Sequence, residues 1–533
     1  MRMDRRRFLR TSAAAGAGLI VGTRLPQGLA AQAERPHGPP FLHGVASGDP
    51  LPDRAIIWTR VTPSPAAAPG SGKGPAVRVR WEVARDRSFS KVVRAGSIRT
   101  GPPVDHTVKI DVSGLDPDTE YFYRFNTLGT TSLPGRTKTA PDPSSENAGL
   151  RFGVVSCSNY EGGYFTAYRY LAEREDLDLV LHLGDYIYEY APGGYGPGPD
   201  IDRVHEPDHE IVSLADYRIR HALYKTDPDL QALHAQNPFI TIWDDHEVTN
   251  NTYKDGAENH QPEEEGDFFK RRNDAYKAYF EWMPIRQLAD PHQSFRDFRF
   301  GDLMDLHMLD LRQYRDQEAS SGQDAAKDDP ARTITGDQQM DWLLTGLEQP
   351  RALWRVIGNQ VMFMPWETGP DQPFNVDAWD GYRPDRQQVL QHLVDKKVDN
   401  VVFLTGDIHS SWAADVPLDP DTYPLSPSVC TELVCTSITS DNLDDIVGGP
   451  PRTSSLAVEE GIKATNRHIK EVEFDSHGYS VVDVDRERLQ MDWYYISDRE
   501  DPEATQAFGQ AWQVVVGSNA VSPAPEPIPT TRT

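Results

Sequence analysis

Three segments of this chain place metal-binding side chains directly after a short apolar run. They are residues 177–189 (LDLVLHLGDYIYE), 239–247 (FITIWDDHE) and 401–409 (VVFLTGDIH). Such a run, ended by Gly-Asp or Asp-Asp, predicts a buried parallel strand whose carboxyl end delivers side chains into a crevice, where open α/β sheets bind ligands. Carboxylates and imidazoles brought together from three strand ends indicate a metal centre.

Each motif has a simpler interpretation when it is taken alone. Asp185 and Asp407 each follow a glycine, and such a pair is most often a turn in which Asp bonds its own backbone. His409 alone is most often a buried structural imidazole. Their joint occurrence with residues 244–247 (DDHE), and with Cys157 after the apolar run RFGVVS, changes that balance. Burying four or five such groups together costs free energy unless a cation compensates them.

The elements that must position these residues fall into two regions. Residues 41–140 contain short, nearly alternating β-rich runs and predict a small all-β domain. Within it, residues 115–121 (LDPDTEY) indicate either a tyrosine corner or a generic β-turn. After a polar linker at 140–149, strands alternate with helical segments over residues 150–500, which predicts a layered α/β domain. The clearest helical segments are 164–176, 216–227, 267–283 and 336–348.

The C-terminal region, residues 501–533, predicts a helix followed by a disordered tail. Residues 504–519 (ATQAFGQAWQVVVGSN) fit an amphipathic helix that carries Phe508 and Trp512. That helix could simply pack against the domain, or it could be a lid, as the family resemblance described below implies. The last residues, SPAPEPIPTTRT, have the composition of a disordered segment.

Composition and charge exclude some functions. The 533 residues include 54 basic and 81 acidic side chains, which gives a formal net charge of −27. No basic stripe offsets this charge, so nucleic-acid binding as the main role is not expected.

Residues 1–33 fit a twin-arginine export signal: a basic region with Arg5 and Arg6, a short apolar stretch and a small-x-small cleavage site. The apolar stretch is too short to span a bilayer. The alternative is a disordered basic tail.

Only three cysteines are present, at positions 157, 430 and 435. An oxidising destination after export permits a disulfide. If the β-rich run around Cys430 and Cys435 is extended, however, their Cα atoms lie roughly 16 Å apart, too far for a bridge. A disulfide between them therefore requires an intervening turn.

The ordered set of motifs resembles the metallophosphoesterase pattern, and in detail the alkaline phosphatase D family. The resemblance covers about residues 40–500 and depends on HGVASGDP (43–50), SCSN (156–159), GDYIYE (184–189), WDDHEVTNN (243–251), IGNQ (357–360) and GDIHSSW (406–412). It implies a four-layer αββα metallophosphoesterase sandwich, preceded by a small all-β, fibronectin-like sandwich domain.

The resemblance also implies a mixed centre of Fe³⁺ and one or two Ca²⁺ ions. Asp185 would bridge the metals, and the ligands of iron would be completed by Cys157, Tyr188 and His409. Hard oxygen donors, Asp245 and Asp407, would hold calcium. The simpler interpretation of Cys157 is a small hydrophobic residue at a strand end. In the related purple acid phosphatases, the positions matching Cys157, Asp407 and Gln360 carry Asp, His and His, and these differences argue against zinc at the second position.

By the same resemblance, His246 is the catalytic residue and gives a hydrogen bond or a proton to the substrate or to the leaving oxygen. The two cations would hold a hydroxide, lower its pKa and neutralise charge on the phosphoryl oxygens during in-line displacement. Asn250, Asn251, Asn359 and Gln360 are expected behind the ligands or against the substrate. For Asn250 and Asn251, a role as turn residues is equally consistent with the sequence.

These features predict a secreted phosphomonoesterase and phosphodiesterase. An exported, iron-dependent phospholipase D acting on phospholipid headgroups needs the same metals and is the first alternative. The second is a calcium-binding wall or adhesion protein with a structural metal site. The expected partners are a small phosphate ester or a phospholipid, together with the twin-arginine export machinery, and no transmembrane segment is expected.

Overall fold

Two large β-sheets form the framework of the molecule. The computed structural model describes residues 39–198, 201–349 and 351–530, so the twin-arginine segment at 1–33 lies outside the described residues. The first sheet contains ten strands: β1 (Val45–Leu51), β2 (Arg54–Arg60), β5 (Thr107–Ser113), β9 (Gly149–Val155), β10 (Leu179–His182), β11 (Pro238–Thr241), β21 (Gly478–Asp485), β22 (Arg488–Ile496), β23 (Gln506–Val515) and β24 (Val521–Pro523).

The second sheet contains seven strands: β12 (Arg296–Phe300), β13 (Met304–Met308), β14 (Trp354–Asn359), β17 (Val401–Thr405), β18 (Ser411–Pro417), β19 (Ser428–Val434) and β20 (Ile469–Glu473). A small hairpin is formed by β15 (Glu367–Gly369) and β16 (Gln372–Pro373). The central strands of both large sheets run parallel: β9, β10 and β11 in the first, and β13, β14, β17 and β19 in the second.

An apolar core fills the space between the two sheets, with Val154 and Leu181 on one side and Leu306, Val356 and Val402 on the other. Helices cover both outer faces, which confirms the four-layer αββα prediction. The described helices are α1 (Thr166–Ala172), α2 (Leu214–Tyr224), α3 (Pro228–Gln236), α4 (Pro262–Glu265), α5 (Phe268–Trp282), α6 (Asp337–Glu348), α7 (Arg383–Lys396), α8 (Leu443–Val447) and α9 (Ser455–Thr465). All four segments that the sequence favoured as helices overlap a described helix, although α2 begins two residues before the predicted segment 216–227.

Residues at the start of the described chain form a β-sandwich, as the sequence predicts. One layer is a five-stranded sheet of β3 (Val77–Ala84), β4 (Val92–Thr100), β6 (Glu120–Thr127), β7 (Thr130–Thr131) and β8 (Gly135–Lys138). The tyrosine corner is present, because the Tyr121 hydroxyl accepts a hydrogen bond from the backbone N–H of Asp116 at 2.8 Å. The other layer, β1, β2 and β5, continues the ten-stranded sheet, since β1 pairs in parallel with β11.

The predicted C-terminal helix is wrong. Residues Gln506–Val515 form β23, which pairs antiparallel with β22, and β24 extends the sheet beyond it. The run Val514–Val516 is β-branched and fits a pleated surface better than a helix, and the exposed edge of β22 supplies the hydrogen-bond partners. The tail is not disordered over its described part, because Ile528 is buried and its N–H donates to Asp492 at 2.7 Å.

All three cysteines are free and buried. Cys430 lies within β19 and Cys435 directly follows that strand, so the chain between them is extended and brings no turn. Among the described helices, none is long and apolar enough to cross a membrane.

Candidate metal centre

The predicted site residues meet in one crevice that both sheets build. Cys157 follows β9, Asp185 and Tyr188 follow β10, and Asp245 with His246 follows β11, all in the first sheet. The second sheet contributes Asp407 and His409 after β17. The sequence treated these strand ends as one set; the structure places them at facing edges of two sheets, so the crevice between the layers is the site.

Three overlapping groups of potential ligands result. They are Cys157, Asp185 and His409; Asp185, Asp245 and His246; and Asp244, Asp245 and Asp407, and within each group one ligand atom per residue lies within 4.8 Å of the others. Asp185 belongs to the first two groups and Asp245 to the last two. This sharing is what a centre with adjacent cations requires.

The backbone is strained at four of the candidate ligands. Cys157, Asp185, Asp407 and His409 have φ angles of 60°, 55°, 63° and 56°. Residues other than glycine rarely adopt this left-handed conformation, at a cost on the order of 1–3 kcal/mol each, and such residues cluster at functional sites. Here the sharp turn after each strand aims the side chain back into the crevice.

The first group joins a thiol, a carboxylate and an imidazole, and the phenol of Tyr188 lies against it. The Tyr188 hydroxyl donates to Asp185 Oδ2 at 3.0 Å and lies 3.4 Å from His409 Nε2. The other ring nitrogen of His409, Nδ1, donates to the Asp441 carbonyl at 3.0 Å, so Nε2 is the nitrogen that faces the site. Burial raises the pKa of both Cys157 and Tyr188 well above their ordinary values.

His246 is oriented by a buried carboxylate that the sequence analysis did not assign. His246 Nδ1 donates to Glu189 Oε2 at 2.7 Å, and Glu189 is fully buried. Burial would lower the pKa of His246, but the carboxylates of Asp245, Glu189 and Asp185 outweigh it and hold that pKa well above its ordinary value. The ring stacks on Tyr188 with centroids 4.2 Å apart, and Nε2 lies 3.9 Å from Asp245 Oδ1.

A buried guanidinium, that of Arg312, pairs with the carboxylates of the third group. Arg312 Nε donates to Asp244, Nη1 donates to Asp377 at 2.8 and 3.0 Å, and Nη2 donates to Asp407 at 3.2 Å. Burial acts to raise the pKa of Asp245, but Arg312 and His246 outweigh it and lower that pKa. Arg312 therefore balances part of the negative charge of this group.

The donor set fits a metal centre. Asp185 Oδ1, Asp244 Oδ2 and Asp245 Oδ1 are buried and have no hydrogen-bond partner among the described residues. Burial raises the pKa of Asp185 and Asp244 well above the ordinary range. A buried carboxylate oxygen without a partner costs about 1–3 kcal/mol or more, and a cation between these atoms removes that cost.

Asn250 and Asn251 support the site through their backbone. The Asn250 N–H donates to Glu189 at 2.8 Å, and the Asn251 N–H donates to Asp245 Oδ2 at 2.7 Å. Their side chains instead contact Glu258. Asn251 has a φ of 51°, a conformation that asparagine tolerates better than most residues.

Asn359 and Gln360 connect the strand ends. The Asn359 side chain donates to Thr405 Oγ1 at 2.9 Å and accepts from Trp379 Nε1 at 3.0 Å, contacts that fit a structural role. Gln360 Nε2 donates to the carbonyls of Leu309 at 2.6 Å and Trp243 at 3.0 Å, which lie after strands of different sheets. Gln360 therefore holds the two walls of the crevice together.

The sequence predicted no role for four residues of the site, Glu189, Arg312, Asp377 and Ser440, and included Asp244 only as part of the DDHE motif at 244–247. Only a weaker signal existed for Arg312: charged side chains follow β13 in the segment DLRQYRD, but that strand has the sequence MDLHM and is not an apolar run like those before the other site residues. Ser440 carries no such signal, since its place beside Tyr188 depends on the path of a loop far away in the sequence.

Comparison with known proteins agrees with this geometry. Residues 152–493 match the family model of the PhoD-like phosphatase, and residues 28–141 match that of the PhoD-like phosphatase N-terminal domain. The chain is 41% identical to alkaline phosphatase D of Bacillus subtilis (strain 168) over 451 residues, which cover 82% of this chain and 76% of that protein.

A solved structure of PhoD is also similar. It superposes with a TM-score of 0.83 at 37% identity, covering 92% of this chain and 93% of the other. Similarity of this extent includes both the N-terminal sandwich and the layered domain. From the family models, the relative and the shared fold together, we conclude that the chain belongs to the PhoD-like phosphatase family and is a phosphoric ester hydrolase.

Proposed function

We propose that this protein is an exported phosphomonoesterase and phosphodiesterase whose centre holds Fe³⁺ and one or two Ca²⁺ ions. The observation that carries the proposal is Asp185, a buried carboxylate with an unpartnered oxygen, which two groups of potential ligands share. Such a carboxylate is suited to bridge two cations.

The two sides of Asp185 favour different metals. Cys157, Tyr188 and His409 would hold iron on one side, because a thiolate and a phenolate suit a transition metal and not calcium. On the other side, Asp245 and Asp407 offer hard carboxylate oxygens, which suit calcium. When bound, the cations would lower the pKa of the attacking water and neutralise charge on the phosphoryl oxygens during in-line displacement.

His246 would act as the proton donor to the leaving oxygen. Glu189 fixes the ring by accepting from Nδ1, which leaves Nε2 facing the carboxylates of the crevice. The ionised Glu189 carboxylate beside Nδ1 stabilises the protonated ring, and general acid catalysis by such a group contributes about 10²–10⁴-fold. Burial raises the pKa of Glu189, but its hydrogen bonds and the charge of His246 lower it overall, so Glu189 stays ionised.

Hydrolysis of a phosphate monoester and a phosphate diester, each measured with and without a calcium chelator, tests the proposed activity. Calcium-dependent hydrolysis of both esters is expected. If the metal-loaded protein hydrolysed neither ester, the proposed activity would be contradicted.

Export is the second part of the proposal. The order Arg-Arg-x-Phe-Leu at residues 5–9 supports the twin-arginine pathway, which carries folded proteins and so allows the metals to be inserted first. Replacing Arg5 and Arg6 by lysine keeps the charge but should retain the precursor inside the cell. Unchanged export of that variant would contradict this route.

A further inference from the structure

One loop contacts three of the four potential iron ligands. It comprises residues 437–442, between β19 and α8. The backbone N–H groups of Thr439 and Ser440 each donate to the Cys157 carbonyl at 3.3 Å. The Asp441 carbonyl accepts from His409 Nδ1 at 3.0 Å, and Ser440 Oγ lies 2.6 Å from the Tyr188 hydroxyl oxygen.

A buried arginine fixes this loop. Arg499 Nη1 donates to the Thr439 carbonyl at 2.6 Å, and Nη2 donates to Asp441 Oδ1 at 2.9 Å and lies 3.3 Å from Asp445 Oδ1. Arg499 is 6% exposed, so these hydrogen bonds are shielded from competing water. Arg499 thereby fixes the residues on both sides of Ser440.

A second contact at the same loop resembles a nucleophilic triad but is structural. Ser437 Oγ lies 3.0 Å from His477 Nδ1, and His477 Nε2 lies 2.9 Å from Asp445 Oδ2. Ser437 is fully buried, so no substrate reaches its hydroxyl. This arrangement fixes the start of the loop.

The protonation state of Tyr188 determines the direction of its short hydrogen bond with Ser440. A tyrosine that binds iron is a phenolate, so it has lost the proton that Tyr188 otherwise donates to Asp185. Its oxygen then accepts hydrogen bonds only. The Ser440 hydroxyl oxygen lies 2.6 Å from the Tyr188 oxygen and 3.0 Å from the Cys157 carbonyl oxygen, and its single proton favours the charged, nearer acceptor. Hydrogen bonds to charged acceptors are the stronger kind, and those to a ligand orient it and tune its basicity.

We propose that Ser440 is a positioning residue that donates a hydrogen bond to the ligating oxygen of Tyr188, and that Arg499 holds Ser440 in place. This inference rests on the proposed iron site. The hydrogen bond withdraws electron density from the phenolate oxygen and so raises the energy of charge transfer from Tyr188 to the metal.

The test compares the visible spectrum and iron affinity of the purified holoprotein with those of Ser440→Ala. Loss of the hydroxyl should move the phenolate charge-transfer band to longer wavelength and weaken iron binding by about 10-fold, the lower end for lost contacts behind a ligand. Ser440→Thr, which keeps the hydroxyl, should restore both. Thr436→Val is the matched control, because this buried hydroxyl donates its hydrogen bond to the Ser476 carbonyl, away from the candidate ligands.

Arg499→Lys gives a second, independent measurement, since one ammonium cannot replace the contacts of the guanidinium. It should weaken iron binding and shift the band in the same direction as Ser440→Ala. A wild-type band that neither variant moves overturns the role of Ser440 and leaves the iron site standing. A wild-type holoprotein without any phenolate band overturns both the iron assignment and this inference.

Discussion

The acidic groups in the two halves of the candidate centre are stabilised in different ways. Around Asp244, Asp245 and Asp407, the guanidinium of Arg312 is built in and balances part of the charge. In the other half, the side chains of Cys157 and Tyr188 have no lysine or arginine among their partners in the described residues, and burial raises both pKa values. The first half is therefore partly neutralised without metal, whereas the second becomes anionic only when a cation binds.

This difference predicts an order of metal dependence. On the side of Cys157 and Tyr188, a thiol and a phenol must lose their protons when a metal binds, so this side requires a cation of high charge and should bind it tightly. On the side of Asp245 and Asp407, Arg312 already balances part of the charge, so a more weakly bound cation that exchanges with solvent is sufficient. The chelator sensitivity of the enzyme should therefore reside in the carboxylate half.

The largest effect is expected at the residue that both halves share. Asp185→Asn removes the bridging charge, so both metals should be lost and hydrolysis should fall by about 10³-fold or more, equivalent to about 4 kcal/mol of transition-state stabilisation. Metal analysis and steady-state kinetics measure this directly. Asp178→Asn is the control, because that buried carboxylate pairs with Lys138 and should affect stability alone. Retention of both metals by Asp185→Asn would contradict the shared role.

Removing the built-in cation sharpens the comparison. Arg312→Met leaves the carboxylates around it without their balance, so the metal-free protein should lose about 3–5 kcal/mol of stability. Added calcium should restore more stability in this variant than in the wild type, which calcium-dependent thermal unfolding measures. In the control Arg60→Met, a buried arginine paired with Asp105 is removed, and calcium should restore nothing. Equal calcium responses in the two variants would argue against the account.

His246 contacts residues of both halves, Tyr188 and Asp245. Its replacement should lower the rate of hydrolysis without loss of the bound metals. His246→Gln should lower turnover by about 10²-fold while metal content stays near normal. The exposed His292 offers a matched control, His292→Gln, with unchanged kinetics. If His246→Gln lost metal and activity equally, His246 would be a ligand and not a proton donor.

A buried amine outside the centre, that of Lys225, should make the stability of the protein depend on pH. Lys225 contacts the Tyr186 hydroxyl at 2.9 Å and His234, and burial lowers its pKa from 10.5 to about 7. As pH falls from 10.5 to about 7, the unfolded chain gains a proton that the folded protein does not, so stability falls by about 1.4 kcal/mol per pH unit.

Lys225→Met removes this dependence, so over the same window the stability of the variant relative to wild type should increase as pH falls. Chemical denaturation at several pH values measures the difference. The control is Lys91→Met at an exposed position, which should follow the wild type. A Lys225→Met curve parallel to the wild type would show that Lys225 is protonated in the folded protein.

The sequence predicted the parts of the site that local pattern determines. Apolar strands ended by Gly-Asp or Asp-Asp located Asp185, Asp245 and Asp407, because the residues after a buried parallel strand necessarily lie at the edge of a sheet. Strand β13 has the sequence MDLHM and lacks that apolar run, so the pattern did not extend to Arg312 behind it.

The parts that long-range packing determines were not predictable. Ser440 meets Tyr188 across 252 residues of chain, and no local feature encodes that contact. The C-terminal segment 506–515 has a composition that suits helix or strand, and the open edge of β22 decided it. Similarly, β1 joins the first sheet through β11, which a linker-like composition at residues 140–149 does not indicate.

Elemental analysis combined with the visible spectrum of the purified mature protein tests the central claim most directly. The account predicts about one iron per chain, a charge-transfer band that is lost or changed in Cys157→Ser, and calcium that a chelator removes while the iron and the band remain. A colourless protein that contains zinc or no metal, or a Cys157→Ser variant with unchanged iron and colour, would contradict the account.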